Sequence, residues 1–266
     1  MKTHLHIALM QPNIVWENPE ANLDLADKML KKVSPPTELI IFPEAFTTGF
    51  TMNQRFLEQL DKVPGLTFFK NKARELQKVI IVGLFAREDG LLYNRYYWFN
   101  PDGSYVYYNK RHLFSAAGED NLFTRGTEQL IVRYEGFRFN LNLCYDLRFP
   151  VWTKNRFDPQ TGQYAYDFLI YGANWPEKRK NIYLPLLRAR AIENQAYVLW
   201  SNRVGRDKHY QLFSGDSRVV NPLGQVEITT KTHQERVEEY RITIEKLHEI
   251  RSKMPVGKDW DAFTIL

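Results

Sequence analysis

Apolar residues along this chain switch repeatedly between a two-residue and a three-to-four-residue spacing, and each switch marks a boundary between elements. HLHIALMQ (4–11) reads as a strand. NLDLADKMLKKV (22–33) then sets Leu23, Ala26, Met29, Leu30 and Val33 on one helical face, and Pro35 and Pro36 close it. ELIIFPE (38–44) is a short buried strand, LTFFKNKARELQ (66–77) a helix and VIIVGLF (79–85) a strand, which gives a β-α-β-α-β run. Aromatic strands follow, LLYNRYYWFN (91–100) and SYVYYNKR (104–111), joined at Pro101-Asp102-Gly103 as a hairpin. A second hairpin, QLIVRY (129–134) and FRFNLNLCY (137–145), turns at Glu135-Gly136 and runs into Cys144. A helix-prone stretch after Pro150 comes next, followed by a strand in YDFLIYGANW (166–175), a helix in PLLRARAIENQ (185–195) and a strand in YVLWSN (197–202). GDSRVVNPLGQV (215–226) and ERVEEYRITI (235–244) read as two closing strands before a tail from Lys246.

Buried strand-helix units mixed with hairpins predict an α/β fold: two mixed sheets packed face to face with helices outside each. No repeat, linker or low-complexity segment interrupts the pattern, so residues 1–266 are expected to form a single domain. At 44% hydrophobic and 14% aromatic, the chain has enough apolar surface for a full core. No apolar run approaches the ~18 residues of a membrane span, and the start lacks the uninterrupted apolar stretch of a signal peptide. With one cysteine in the whole chain, a reducing cytoplasm is the expected location. Lys and Arg exceed Asp and Glu by 36 to 31, but they are scattered; the densest cluster, EKRK at Glu177–Lys180, reads as a solvated face and not as a nucleic-acid surface.

Chemistry in such sheets collects at the carboxyl ends of strands. Glu44 after LIIFP, Lys110 after YVYYN and Cys144 after FNLNL fall there, a carboxylate, an ammonium and a thiol suited to acyl transfer. The plainer readings are solvated strand-end charges and a cysteine packed as a small hydrophobe. If the three converge, Cys144 is the nucleophile and Glu44 the base that takes its proton. Lys110 and the backbone N–H of Tyr145 then form the oxyanion hole, and the lysine stays charged beside Glu44. Asn174 and Trp175, beyond another strand end, are expected in the substrate wall, the alternative being a turn with a packed indole. Six histidines show no Cys/His metal spacing and no HExxH pattern, and nothing resembles a phosphate loop, so no metal or cofactor is called for.

FPEAFTTGF (42–50), NKRHLF (109–114) and CYDLRFP (144–150) resemble the three signature segments of the nitrilase superfamily of carbon-nitrogen hydrolases; ARAIENQAYV (189–198) and GDSRVVNPLG (215–224) match its later segments in order. The resemblance implies a four-layer αββα sandwich, a homodimer, a Glu-Lys-Cys triad and no cofactor. It also implies a role for Glu119 in SAAGEDNLF as an additional catalytic glutamate, with Asp120 as its rival for that place. CYDLRFPVW followed by GANWP and SNRVG is most similar to the bacterial omega-amidases, which act on 2-oxo acid amides such as 2-oxoglutaramate. Such a substrate, hydrolysed through a cysteine thioester, carries a carboxylate that needs a partner. Arg203 stands first for it by proximity to a strand end, with Arg206, Tyr145 and Tyr210 as further donors and a surface ion pair as Arg203's alternative role. Arg148 is read as structural, with Glu193 as a possible mate. Two alternatives stay open: a hydrolase of another linear amide, nitrile or N-carbamoyl compound, and a silent binding or scaffold protein on the same fold.

Overall fold

The structure, a computed structural model, describes residues 2–265. The strands of its two large sheets are β1 (His4–Gln11), β2 (Leu39–Ile41), β3 (Val79–Glu88), β4 (Leu91–Phe99), β5 (Tyr105–Asn109), β6 (Leu130–Tyr134) and β7 (Phe137–Leu143). They continue as β8 (Phe168–Ala173), β9 (Tyr197–Asn202), β10 (Arg218–Val220), β11 (Val226–Thr229) and β12 (Arg236–Thr243). Two six-stranded sheets result, ordered β12-β1-β2-β3-β4-β5 and β11-β10-β9-β8-β7-β6. The centre of each is parallel, β1-β2-β3 and β7-β8-β9, and the flanking strands are antiparallel.

The alternation of side chains along each strand explains the layers. Leu5, Ile7 and Leu9 of β1, with Val79 and Ile81 of β3, meet Phe139, Leu141, Phe168, Ile170 and Leu199 of the other sheet in the central core. The intervening residues Met10, Ile40, Ile80 and Val82 turn outward onto α1 (Pro19–Leu30) and α2 (Gly65–Leu76). Leu169, Tyr171, Val198 and Trp200 likewise meet Tyr183, Leu187 and Ala191 of α3 (Lys180–Asn194). Each such buried Leu, Ile or Phe contributes ~1.5–3 kcal/mol, so central strands apolar on both faces favour this four-layer αββα arrangement over a half-solvated sheet.

Three expectations are revised. The stretch 215–226 holds a strand, a turn and the start of a second strand, because Asn221 Oδ1 accepts from the N–H of Leu223 at 2.9 Å and Gln225 at 3.2 Å and reverses the chain there. Helix α3 begins at Lys180, upstream of Pro185, since Lys180 Nζ reaches Asp216 at 2.7 Å and Tyr183 stacks on Trp200. The tail from Lys246 is no loose end: α4 (Glu245–Lys253) docks through Arg251, which donates to Asp167 Oδ1 at 2.7 Å and to the carbonyls of Tyr166 at 2.8 Å and Gln195 at 3.0 Å. The helix-prone stretch after Pro150 is a single turn, Pro150–Thr153. No helix among the described residues is long and apolar enough to cross a membrane.

Candidate active site

Cys144 follows β7 and opens a 3-10 turn, Cys144–Arg148, with φ at +42°. A non-glycine residue in that left-handed region costs ~1–3 kcal/mol, and the sharp bend turns the side chain off the sheet edge. Gly172 of β8 pairs with Leu143, so Cys144 and Asn174 leave adjacent strands at one level. On the opposite sheet the segment after β2 stays bonded to β3: Phe42 N–H reaches Ile81 O at 2.7 Å and Phe46 N–H reaches Gly83 O at 2.8 Å. A Cβ on Gly83 would stand 2.5 Å from the Glu44 Cα, so glycine there is what lets Glu44 lie across the strand.

The two sheets thereby bring Glu44, Lys110 and Cys144 to one end of the sandwich, around a single cavity. Lys110 Nζ lies 2.8 Å from Glu44 Oε1 and 2.9 Å from Glu119 Oε2, with all three side chains wholly buried. Burial alone would lower the lysine's pKa, but Glu119 and Glu44 outweigh it and hold the ammonium charged. The Glu119 carboxyl is pushed up by burial, Lys110 pulling the other way and Glu44 adding to the rise. Asn94 of β4 donates to both carboxylates, at 2.8 Å to Glu44 Oε1 and 2.8 Å to Glu119 Oε1. Asn174 N–H donates to Glu44 Oε2 at 3.2 Å, and its amide nitrogen donates to the Glu44 carbonyl. Burial raises the Cys144 thiol well above its ordinary value, Glu44 adding to this and Lys110 opposing it, so the resting sulfur is a neutral thiol beside a carboxylate. Tyr145 N–H, in the first turn of the 3-10 segment, has no acceptor within that turn.

The cavity measures about 470 Å³. Phe50, Phe114, Trp175 and Phe213 give it an apolar wall, while Arg148 and Arg179 bring guanidinium groups to it. Arg148 lies over the rings of Trp175 at 5.4 Å and Tyr145 at 5.9 Å, and Arg179 over Phe114 at 4.8 Å. Neither guanidinium has a carboxylate partner among the described residues; Glu193 pairs with Arg190 at 2.9 Å. Among the described residues no group of three or more His, Cys, Asp and Glu side chains is placed to hold a metal ion.

Arg203 is the clear correction. Its side chain is wholly buried outside the cavity, with Nη2 donating to the carbonyls of Ile14 at 2.8 Å and Arg206 at 3.1 Å and Nε to Val204 O at 3.1 Å. Burial pushes it down to about 10, and its charge is spent on stitching backbone together. Arg206 and Tyr210 also lie off the cavity wall, and Tyr210 is 79% exposed. Arg148, read as structural, is at the wall instead. The EKRK cluster is not a plain solvated face either: Lys180 binds Asp216, Glu177 lies 3.1 Å from His233, and Arg179 lines the cavity. Of the rivals at 119 and 120, Glu119 is buried on Lys110 and Asp120 is exposed. Asn94 escaped sequence reasoning; its only signal was one amide inside an otherwise aromatic strand.

Residues 6–252 match the model of the family described as carbon-nitrogen hydrolase. The chain is 38% identical over 263 residues to omega-amidase YafV of Escherichia coli, covering 98% of each, and 29% identical to 2-oxoglutaramate amidase of Bacillus subtilis, covering 95% of this chain and 96% of the relative. Among solved structures, a carbon-nitrogen hydrolase superfamily protein of Xanthomonas campestris, which carries an arsenic adduct in its active site, superposes with a TM-score of 0.93 at 37% identity, over 99% of this chain and 100% of that one.

Proposed function

The chain belongs to the carbon-nitrogen hydrolase family and is an amidase-type hydrolase, and from that premise we propose that it cleaves the side-chain amide of a small 2-oxo acid amide, such as 2-oxoglutaramate or 2-oxosuccinamate. One observation carries the substrate class: the cavity that holds Cys144 has two guanidinium groups, of Arg148 and Arg179, with no carboxylate among the described residues on either. An anion on the substrate would satisfy them, and the names of the omega-amidase and 2-oxoglutaramate amidase relatives agree with that charge.

In this reading Glu44 takes the thiol proton as the Cys144 sulfur attacks the amide carbon. The resulting oxyanion is met by Lys110 and the Tyr145 N–H, donors already in place before charge develops. Glu44 returns the proton to the leaving nitrogen, so ammonia departs and a thioester remains. Water, deprotonated by Glu44, then attacks the thioester, the 2-oxo acid leaves and the thiol is restored. Glu119 and Asn94 hold Lys110 and Glu44 in register, and Asn174 and Trp175 form part of the substrate wall. Because the chemistry runs through a free thiol, we place the enzyme in a reducing compartment, the cytoplasm. The exposed Val151 and Ile192 mark the face on which it pairs as a homodimer.

The test is ammonia release from 2-oxoglutaramate compared with glutamine, which carries an ammonium where the oxo acid carries a ketone. The oxo acid amide is expected to win, and Arg148→Ala is expected to raise its KM ~10-fold or more while leaving a neutral aliphatic amide nearly unchanged. Preference for neutral amides, nitriles or N-carbamoyl compounds would reject the substrate and keep the chemistry.

A further inference from the structure

Lys110 and Cys144 belong to different sheets, and the reaction depends on how far apart they stand. The residues that bracket them meet on one side chain. Asp146, wholly buried two positions past Cys144, accepts at Oδ2 from the Leu143 N–H at 3.0 Å and from the Tyr108 hydroxyl at 2.8 Å. Its Oδ1 accepts from the His112 N–H at 3.0 Å and lies 2.8 Å from His112 Nδ1. Tyr108 and His112 bracket Lys110, just as Leu143 and Asp146 bracket Cys144. The Tyr108 hydroxyl is itself fixed, accepting from the Arg111 N–H at 3.0 Å and from Trp152 Nε1 at 3.0 Å. The His112 ring lies flat on Phe149, centroids 3.7 Å apart and planes 7° from parallel, which leaves the imidazole little freedom to turn away from the carboxylate.

We propose that Asp146 and His112 are a positioning pair that sets the separation of Lys110 from Cys144 across the two sheets. Neither touches the reacting atoms. The four contacts converge on one buried carboxylate, which has no other way to satisfy its oxygens, so the two bracketed segments are held as a unit. The inference rests on the reading of Cys144 as nucleophile and Lys110 as oxyanion donor, where a displacement of about an ångström can cost ~10²-fold in rate.

His112 offers two separable substitutions, because its ring is partly exposed and leaves the core intact. His112→Phe keeps a flat ring on Phe149 and removes the Nδ1 contact; His112→Asn keeps a donor on the same branch and removes the stack. His112→Phe is expected to lower kcat ~10–100-fold with KM nearly unchanged, and to move the pH profile of Cys144 alkylation by iodoacetamide upward as Lys110 loses its grip on the sulfur. His112→Asn should recover most of both. A His112→Phe enzyme with the parent kcat and the parent profile, or a His112→Asn enzyme damaged as badly as His112→Phe, would overturn the proposal. Alkylation reads Cys144 without any substrate, so a parent protein that is alkylated yet idle on the oxo acid amide would fault the substrate reading alone.

Discussion

At the scale of single residues, the resting state of the sulfur decides how the enzyme responds to pH. Burial and the Glu44 carboxylate both favour the protonated thiol, and Lys110 offsets only part of this. In the proposed mechanism the sulfur therefore rests as a thiol and loses its proton to Glu44 during attack, the role expected of Glu44 from the sequence. Alkylation of Cys144 in the parent protein should keep rising past pH 9, with no plateau in the neutral range, because the protonated form persists above the ordinary thiol pKa. Glu44→Gln removes one of the two raising causes, so its alkylation profile should shift to lower pH even as amide turnover disappears. Stopped-flow alkylation across pH 6–11 measures both; a neutral plateau in the parent would contradict the assignment. Glu44, Lys110 and Cys144 were legible as candidates because each ends a strand in a run of apolar residues. The cation proposed for the substrate was not: Arg203 and Arg148 both follow strands closely, and only burial and partners separate a guanidinium spent on carbonyls from one facing the cavity.

Between elements, a close constraint lies where β8 faces the opposite sheet. A Cβ on Gly172 would come within 2.9 Å of two Tyr96 ring carbons, and Tyr96 cannot swing aside while its hydroxyl donates to Phe42 O at 3.0 Å. Phe42 precedes Glu44 by two residues and Gly172 precedes Asn174 by two, so strain introduced here reaches both walls of the site. Gly172→Ala is expected to destabilise the fold by ~1–3 kcal/mol, seen as a lower Tm, and to depress kcat in the fraction that remains folded. An unchanged melting curve would mean that the sheets have slack the packing does not show. Element identity was readable from spacing, since period two and period 3.6 differ within a few residues. Boundaries were less so: the start of α3 before Pro185 and the docking of α4 depend on Asp216 and Asp167, partners distant in sequence from Lys180 and Arg251.

For the molecule as a whole, the outer face beside the nucleophile segment and α3 is apolar where solvent should favour polarity. Val151, Ile192 and Leu223 are 57%, 52% and 52% exposed. They share this side of the molecule: Lys154 donates to Glu193 O, and a Cβ on Gly224 would stand 2.6 Å from Ile192 Cδ1. The proposed two-fold pairing would cover this surface, and because α3 packs on the sheet that carries Cys144, the pairing would also brace the site. Sedimentation is expected to give a dimer at micromolar concentration, and Ile192→Lys to shift it toward monomer with loss of activity at high dilution. A parent protein that sediments as a monomer throughout would remove the dimer from the account.

The sequence by itself determined the layers and the candidate trio. Apolar periodicity is local and dictates which face of each element must be buried, and parallel strands buried on both faces have few arrangements besides a helix-covered sandwich. Strand ends then carry Glu44, Lys110 and Cys144 to one edge whatever the details of the loops. The tertiary structure alone decided which charges are compensated. Asn94 between two carboxylates, Asp146 between His112 and Tyr108, Arg203 on the carbonyl of Ile14, and Arg148 and Arg179 on aromatic rings are pairings across 25 to 189 positions of chain, or contacts with rings that no spacing rule connects. The free energy of a buried polar group depends on the partner it meets, and that partner is set by the packing of whole sheets.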